Sequence, residues 1–292
     1  MDTYTIEQGK YTASDARLGR HVRHDSRSRA YAFRPRSVNV KSVKHIRRVQ
    51  IFDQGQVGSC TGNAALGCLA TGPFYDTVPA GVIAWSEEEA LNLYAYATRL
   101  DDQPGQYPPD DTGSDGLAVA KACVASGLIS GYQHAFSPLA ALSALQTRPL
   151  IVGTDWYEGM YEPDQYGVVQ ATGLVAGGHE YVMDEYDAAR QLVGFQNSWG
   201  EDWGQGGRFY MSVEMFSFLL SRAGDVTIFT PFDQPAPTAD PSPVRRPTSG
   251  EPDRDLLALA KSVRTWRNSA FPMWRANDAQ DAVDLYLRKK GY

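Results

Sequence analysis

From Leu150 onward the residue pattern changes period, and that switch limits the chain to few architectures. Before it, small and apolar runs sit between helix-cap signals. Ser86 with Glu89 three residues on is a capping box, and Glu87, Glu88 and Glu89 suit the positive end of a helix dipole, so a helix is predicted from Ser86 through Leu100. Residues 101–114 are too rich in Asp, Pro and Gly to be core. Asp115 to Ser126 reads as a helix stopped by Gly127, and Ser137-Pro138 opens another that ends before Pro149. After the switch, Leu150–Trp156, Gly173–Val175, Glu180–Tyr186, Gln191–Phe195, Arg208–Met211 and Val226–Thr230 read as strands, with Asp187–Arg190 as a hairpin turn. Helices first and strands second is the pattern of an α+β fold with two subdomains.

Flanking segments differ in kind. Residues 1–48 carry 12 Lys/Arg against 4 Asp/Glu, a net +8, while the remainder carries 16 against 30, a net −14. Residues 1–45 therefore read as a basic N-terminal arm, expected to drape over its own acidic body rather than to bind nucleic acid. The body is assigned to 46–231. Seven prolines between 231 and 252 mark 232–253 as a stiff linker. Residues 254–292 form a tail with two short helices expected, Asp255–Arg267 and Asn277–Lys290. Such a tail is too small to fold alone and needs a surface to dock on, its own body or a protein partner. No run approaches the ~20 apolar residues of a membrane helix, and Met1 to Thr5 lack a basic-then-apolar leader. Three cysteines, an odd and low count, suit a reducing compartment, so the expected location is cytoplasmic.

Chemistry concentrates in three places. In Asp53-Gln54-Gly55-Gln56-Val57-Gly58-Ser59-Cys60, a Gly-rich turn delivers a cysteine to the start of a small-residue helix predicted to end near Gly72. Unpaired N–H groups and the helix dipole there are expected to lower the thiol pKa. Gly177-Gly178-His179 opens an apolar strand, and Gln196-Asn197-Ser198-Trp199-Gly200 closes the next. Cys, His and Asn are the nucleophile, base and orienter of a thiol hydrolase. Cys68 and Cys123, in small-residue helical stretches, read as core fillers. No paired Cys/His spacing suggests zinc and no Gly-rich loop suggests a phosphate site, so no metal or cofactor is expected.

With Gln54 six residues before Cys60, His179 after a glycine pair, then Asn197-Ser198-Trp199-Gly200, Trp203-Gly204 and Gly206-Gly207-Arg208-Phe209-Tyr210 in order, the chain resembles the papain family of cysteine peptidases over residues 46–230. The resemblance implies a helical half carrying Cys60, an antiparallel barrel-like half carrying His179 and Asn197, and a cleft between them. It implies that Cys60 attacks a peptide carbonyl, His179 carries the proton, Asn197 orients the imidazole, and Gln54 with the Cys60 N–H forms the oxyanion hole. Trp199 would shield the His–Asn bond and Trp203 would line the leaving-group side. Gly113, Gly116, Gly178 and Glu180 would bind substrate, with Glu180 walling the pocket for the second residue before the scissile bond. There a carboxylate would favour basic side chains, unless it points away into an internal salt bridge.

The departures are local. Thr61 stands where an aromatic residue usually follows the nucleophile, Glu180 where a small residue usually follows the histidine, and Val57 where secreted relatives carry a disulfide cysteine. The Cys-to-His spacing is 119, shorter than the family's about 130–150. The reading is a cysteine-type endopeptidase acting on protein or peptide substrates. Its alternatives are an amidase or peptidoglycan hydrolase with the same triad, and a structural or binding protein of the same fold. The arm, linker and tail faintly resemble papain-like proteins encoded by phages, which would make the chain virion-associated.

Overall fold

The structure is a computed structural model that describes residues 4–6, 11–13, 15–21, 25–35, 40–78 and 81–232. The chain divides into two compact units, 1–240 and 241–292. The second lies wholly outside the described residues, and with it most of the expected linker and both tail helices.

In chain order, the arm contributes a short hairpin, β1 (Tyr4–Ile6) and β2 (Tyr11–Ala13), and then β3 (Val43–Lys44). Four helices follow: α1 (Cys60–Leu69), α2 (Phe74–Thr77), α3 (Glu87–Ala97) and α4 (Gly116–Ala125). Then come β4 (Gly131–Ala135), α5 (Pro138–Leu145), β5 (Leu150–Tyr157), β6 (Val175–Asp187), β7 (Leu192–Gln196), β8 (Arg208–Ser212), α6 (Val213–Ser221) and β9 (Asp225–Thr230). Helix starts follow their caps. Ser86, Asp115, Ser137 and Ser212 each accept the N–H three residues on, a contact worth about 1 kcal/mol apiece.

One antiparallel sheet runs β4-β9-β5-β6-β7-β8, with β3 also pairing on β6. It is open, not the closed barrel-like half expected from the sequence. The chain leaves β8 directly into α6, whose N-cap is the last residue of that strand. Bulges at Trp156/Tyr157 and Met183/Glu185 bend the sheet without closing it. The two expected strands Gly173–Val175 and Glu180–Tyr186 are one 13-residue strand, β6, and His179 lies in its middle. Gly177 and Gly178 carry no strand propensity of their own; pairing with Trp156 and Asp155 of β5 holds them extended, and Ala176 falls at the register shift. β4 and α6 were not foreseen, and α1 ends at Leu69 rather than near Gly72.

Side chains alternate across the sheet and feed two cores. Ile151, Val182 and Phe229 pack with Leu66, Leu69, Leu93 and Val119 of the helical half. Leu150, Val152, Tyr181 and Ile228 pack on the opposite face with Phe195, Phe209, Phe216 and Leu219. A buried polar clamp ties the halves. Asp184 accepts both Arg208 Nη1 (2.6 Å) and Arg208 Nη2 (2.7 Å), and also Gln196 Nε2 (2.6 Å). Gln196 Oε1 in turn accepts Arg47 Nη1 at 2.7 Å. No helix among the described residues is long and apolar enough to cross a membrane.

Candidate active site

Cys60 is the first residue of α1, and every residue of that helix is buried. Close approach makes this possible: a Cβ on Gly62 would stand 2.1 Å from the Ala90 carbonyl of α3. The sequence predicts a lowered thiol pKa here, but burial pushes it up to about 12, with the neighbouring Glu180 charge adding to the rise. Desolvation of a thiolate in a dry site exceeds the few tenths to 1 kcal/mol that a helix N-terminus returns. The polar backbone of Glu180 and Gly19 offsets only part of this rise.

His179 is fully buried beside Trp156 and Trp199, each with ring centroids 4.9 Å away. Its Nε2 lies 2.7 Å from Asn197 Oδ1. Asn197 Oδ1 also accepts the Ser198 N–H at 2.9 Å, which fixes the amide's orientation. Nε2 is therefore the protonated nitrogen, and Nδ1, with no hydrogen-bond partner among the described residues, is left to exchange a proton. Burial lowers the imidazole pKa to about 4, against the opposing effect of the Asn197 bond. Both members of the pair are thus neutral at pH 7.

Gln54 is set by the segment before α1, which pairs with the loop after β7: Gln54 N–H donates to the Ser198 carbonyl (2.9 Å) and Gly200 N–H to that of Phe52 (3.0 Å). The Gln54 side chain accepts Ser198 Oγ at 2.6 Å and donates to the carbonyls of Val57 (2.8 Å) and Arg17 (3.0 Å).

Arg17 belongs to the arm, and the arm does not lie on the surface as expected. Residues 17–21 thread through the site as an extended segment. The Arg17 guanidinium lies 4.2 Å over the Trp199 ring, and Leu18, Gly19 and Arg20 are buried. Arg20 N–H donates to the Gly178 carbonyl (3.1 Å), His21 N–H to that of Ser114 (2.9 Å), and Ser114 N–H to that of Gly19 (2.9 Å). Glycines make room for it: a Cβ on Gly177 would meet Leu18 at 2.5 Å, one on Gly178 the Arg20 carbonyl at 2.3 Å, and one on Gly19 the Gly58 carbonyl oxygen at 1.9 Å.

Beyond Gly178, the Arg20 side chain enters a buried pocket. Nη2 donates to Asp225 Oδ1 and to the Ala223 carbonyl, both at 3.0 Å, and Nε stands 3.8 Å from Glu180 Oε2. Burial and the adjacent Asp225 hold the Glu180 carboxyl well above the usual range.

Of the residues expected from the sequence, Cys60, His179, Asn197, Gln54, Gly178, Glu180 and Trp199 converge here. Gly116 borders the same pocket, since a Cβ there would stand 2.9 Å from Glu180 Oε1. Gly113 instead donates to the Tyr94 hydroxyl (3.0 Å) in a left-handed turn, and Ser114 beside it makes the backbone pairing. Trp203 braces the aromatic cluster, its Nε1 donating to the Tyr161 carbonyl (2.9 Å) and its ring 5.2 Å from Trp199. Ser114, Gly153 and Asp225 were missed. No local pattern marks them, because each reaches the site through a different element of the fold. Among the described residues no group of three or more His, Cys, Asp or Glu is placed to hold a metal ion.

No family model and no curated protein sequence matches the chain. Among solved structures, xylellain, a cysteine protease from Xylella fastidiosa, aligns with a TM-score of 0.56 at 14% identity, covering 74% of this chain and 97% of that one. The fold is papain-like. A cysteine protease of Carica candamarcensis aligns with a TM-score of 0.45 at 16% identity, over 64% of this chain and 98% of that one. Procathepsin L 3 of the Tenebrio molitor larval midgut aligns with a TM-score of 0.47 at 16% identity, over 74% and 75%. Within this papain-like fold, the arm segment at Gly19 lies against Gly58, just before the helix that carries Cys60, and bridges Gly178 on the strand that carries His179.

Proposed function

We propose that the chain is a cysteine-type endopeptidase, with residues 46–231 as its catalytic domain and residues 17–21 of the basic arm lying across the cleft. The observation that carries the reading is the His179–Asn197 bond of 2.7 Å, which leaves Nδ1 without a partner among the described residues. When a substrate replaces the arm, Cys60 gives its proton to His179 Nδ1 and the sulfur bonds to the peptide carbonyl carbon. The carbonyl electron pair moves to oxygen, which Gln54 Nε2–H and the Cys60 N–H stabilise. On collapse the C–N bond breaks and His179 protonates the leaving amine. Water, deprotonated by His179, then hydrolyses the thioester. Substrate backbone uses Ser114 and Gly178, Glu180 and Gly116 wall a side-chain pocket, and Trp199 keeps water from the His179–Asn197 bond.

The amidase and structural readings draw no separate support from the described residues. In the test, Cys60→Ala and His179→Ala each abolish peptide hydrolysis with the fold retained, whereas Cys68→Ala and Cys123→Ala keep it. Wild-type hydrolysis by Cys60→Ala would contradict the mechanism.

A further inference from the structure

We infer that the pocket beneath Glu180 and Asp225 is an arginine-recognition subsite, and that the chain's substrates are peptides that place an arginine side chain in it. This rests on the peptidase reading above and goes beyond it by naming the substrate class.

A guanidinium sits in this pocket with Nη2 hydrogen-bonded and with Nε and Nη1 making no hydrogen bond among the described residues. One glycine clears its width: a Cβ on Gly153 of β5 would stand 2.1 Å from Arg20 Nε. At the far end, Asp225 and the Ala223 carbonyl both accept from one nitrogen of the Arg20 fork at 3.0 Å. Asp225 is almost wholly buried, so an apolar side chain in place of that of Arg20 would leave its carboxylate desolvated without this counter-charge. A lysine ammonium has one nitrogen and cannot stand at once at Asp225 and beside Glu180, as Arg20 Nη2 and Nε do.

Position ties the pocket to the chemistry. Glu180 sends its side chain into the pocket and directly follows His179 in β6, and Gly19, one residue before the seated arginine, lies against the backbone of Gly58, two residues before Cys60. The main chain of this stretch is held by Arg20 N–H to Gly178, His21 N–H to Ser114 and Ser114 N–H to Gly19, with the Arg17 guanidinium over Trp199 and the His21 ring 3.6 Å from Asp115 on either side. Any extended peptide offers those groups, so the side-chain pocket supplies the selectivity.

The test uses the full chain. Arg20→Ala vacates the pocket, and N-acetyl-arginine amide then raises its Tm saturably, while N-acetyl-leucine amide does not. Two peptidyl epoxides that differ only in arginine or leucine at the pocket position are compared for their rate of labelling Cys60. The arginyl probe is expected to react about tenfold faster or more, the effect of one charge-assisted contact. Glu180→Gln in a chain whose arm is displaced by Gly19→Ala lowers that ratio, which keeps the question open to test if Arg20→Ala fails to fold. Equal labelling by both probes, or a ratio unmoved by Glu180→Gln, overturns the subsite and leaves the peptidase reading standing. Absence of Cys60 labelling by either probe overturns both.

Discussion

Cys60 shows how much the state of the cleft decides about one atom. At the start of a helix it has unpaired N–H groups and a favourable dipole, yet the covered sulfur is held neutral because no water reaches it. The same burial pulls the His179 pKa down to about 4, so the thiolate–imidazolium pair needs an opened cleft to form. Gln54 is held in the same closed state, with its amide donating to the Arg17 carbonyl. Replacing Gln54 by Ala is expected to lower kcat by 10² to 10³, about 3–4 kcal/mol, with KM little changed. Steady-state kinetics on a fluorogenic peptide check this, and a change confined to KM would remove Gln54 from the oxyanion site. The four residues proposed for chemistry were legible because each must be of one type at one place in the order of the chain. Asp225 was not, because its only mark is its partner, 205 residues away in sequence.

At the level of elements, helices read correctly where a side chain announced them. Ser86, Asp115 and Ser137 all cap as expected. α6 carried the same signal, Ser212 before Val213, Phe216 and Leu219, and was overlooked between two strands. β6 was misread because its glycines serve the arm rather than the sheet: they clear Leu18 and the Arg20 carbonyl. That fit gives the arm a single vulnerable point. A methyl group on Gly19 meets only backbone of Gly58, at 1.9, 2.4 and 2.4 Å, and backbone cannot yield as a flexible side chain can. Gly19→Ala is therefore expected to push the arm out of the cleft, raising the initial rate of peptide hydrolysis several-fold and lowering Tm. A hydrolysis rate equal to wild type, in a variant with unchanged Tm, would show that residues 17–21 do not control access.

For the whole molecule, the uneven charge has a concrete use. The basic arm closes on an acidic body in part through Arg20, which joins Asp225, and Lys44, which joins Glu185 at 2.8 Å. Other arginines neutralise acids of the arm itself, as Arg17 does Asp15. The arm also follows the sheet. Ala32 bridges His134 of β4, and β3 pairs with β6, so the arm touches both the edge and the middle of the sheet. The expectation of self-association was thus readable from net charge, but not its path, because charge counts carry no register. The central claim is that Cys60 and His179 form one reactive unit inside this fold. Its most direct test is peptide-mapped labelling by a thiol-directed epoxide of the full chain carrying Gly19→Ala, which frees the cleft, with and without His179→Ala. The account predicts modification of Cys60 alone, lost when His179 is replaced. Modification of Cys68 or Cys123 at a comparable rate, or labelling of Cys60 that His179→Ala leaves unchanged, would contradict it.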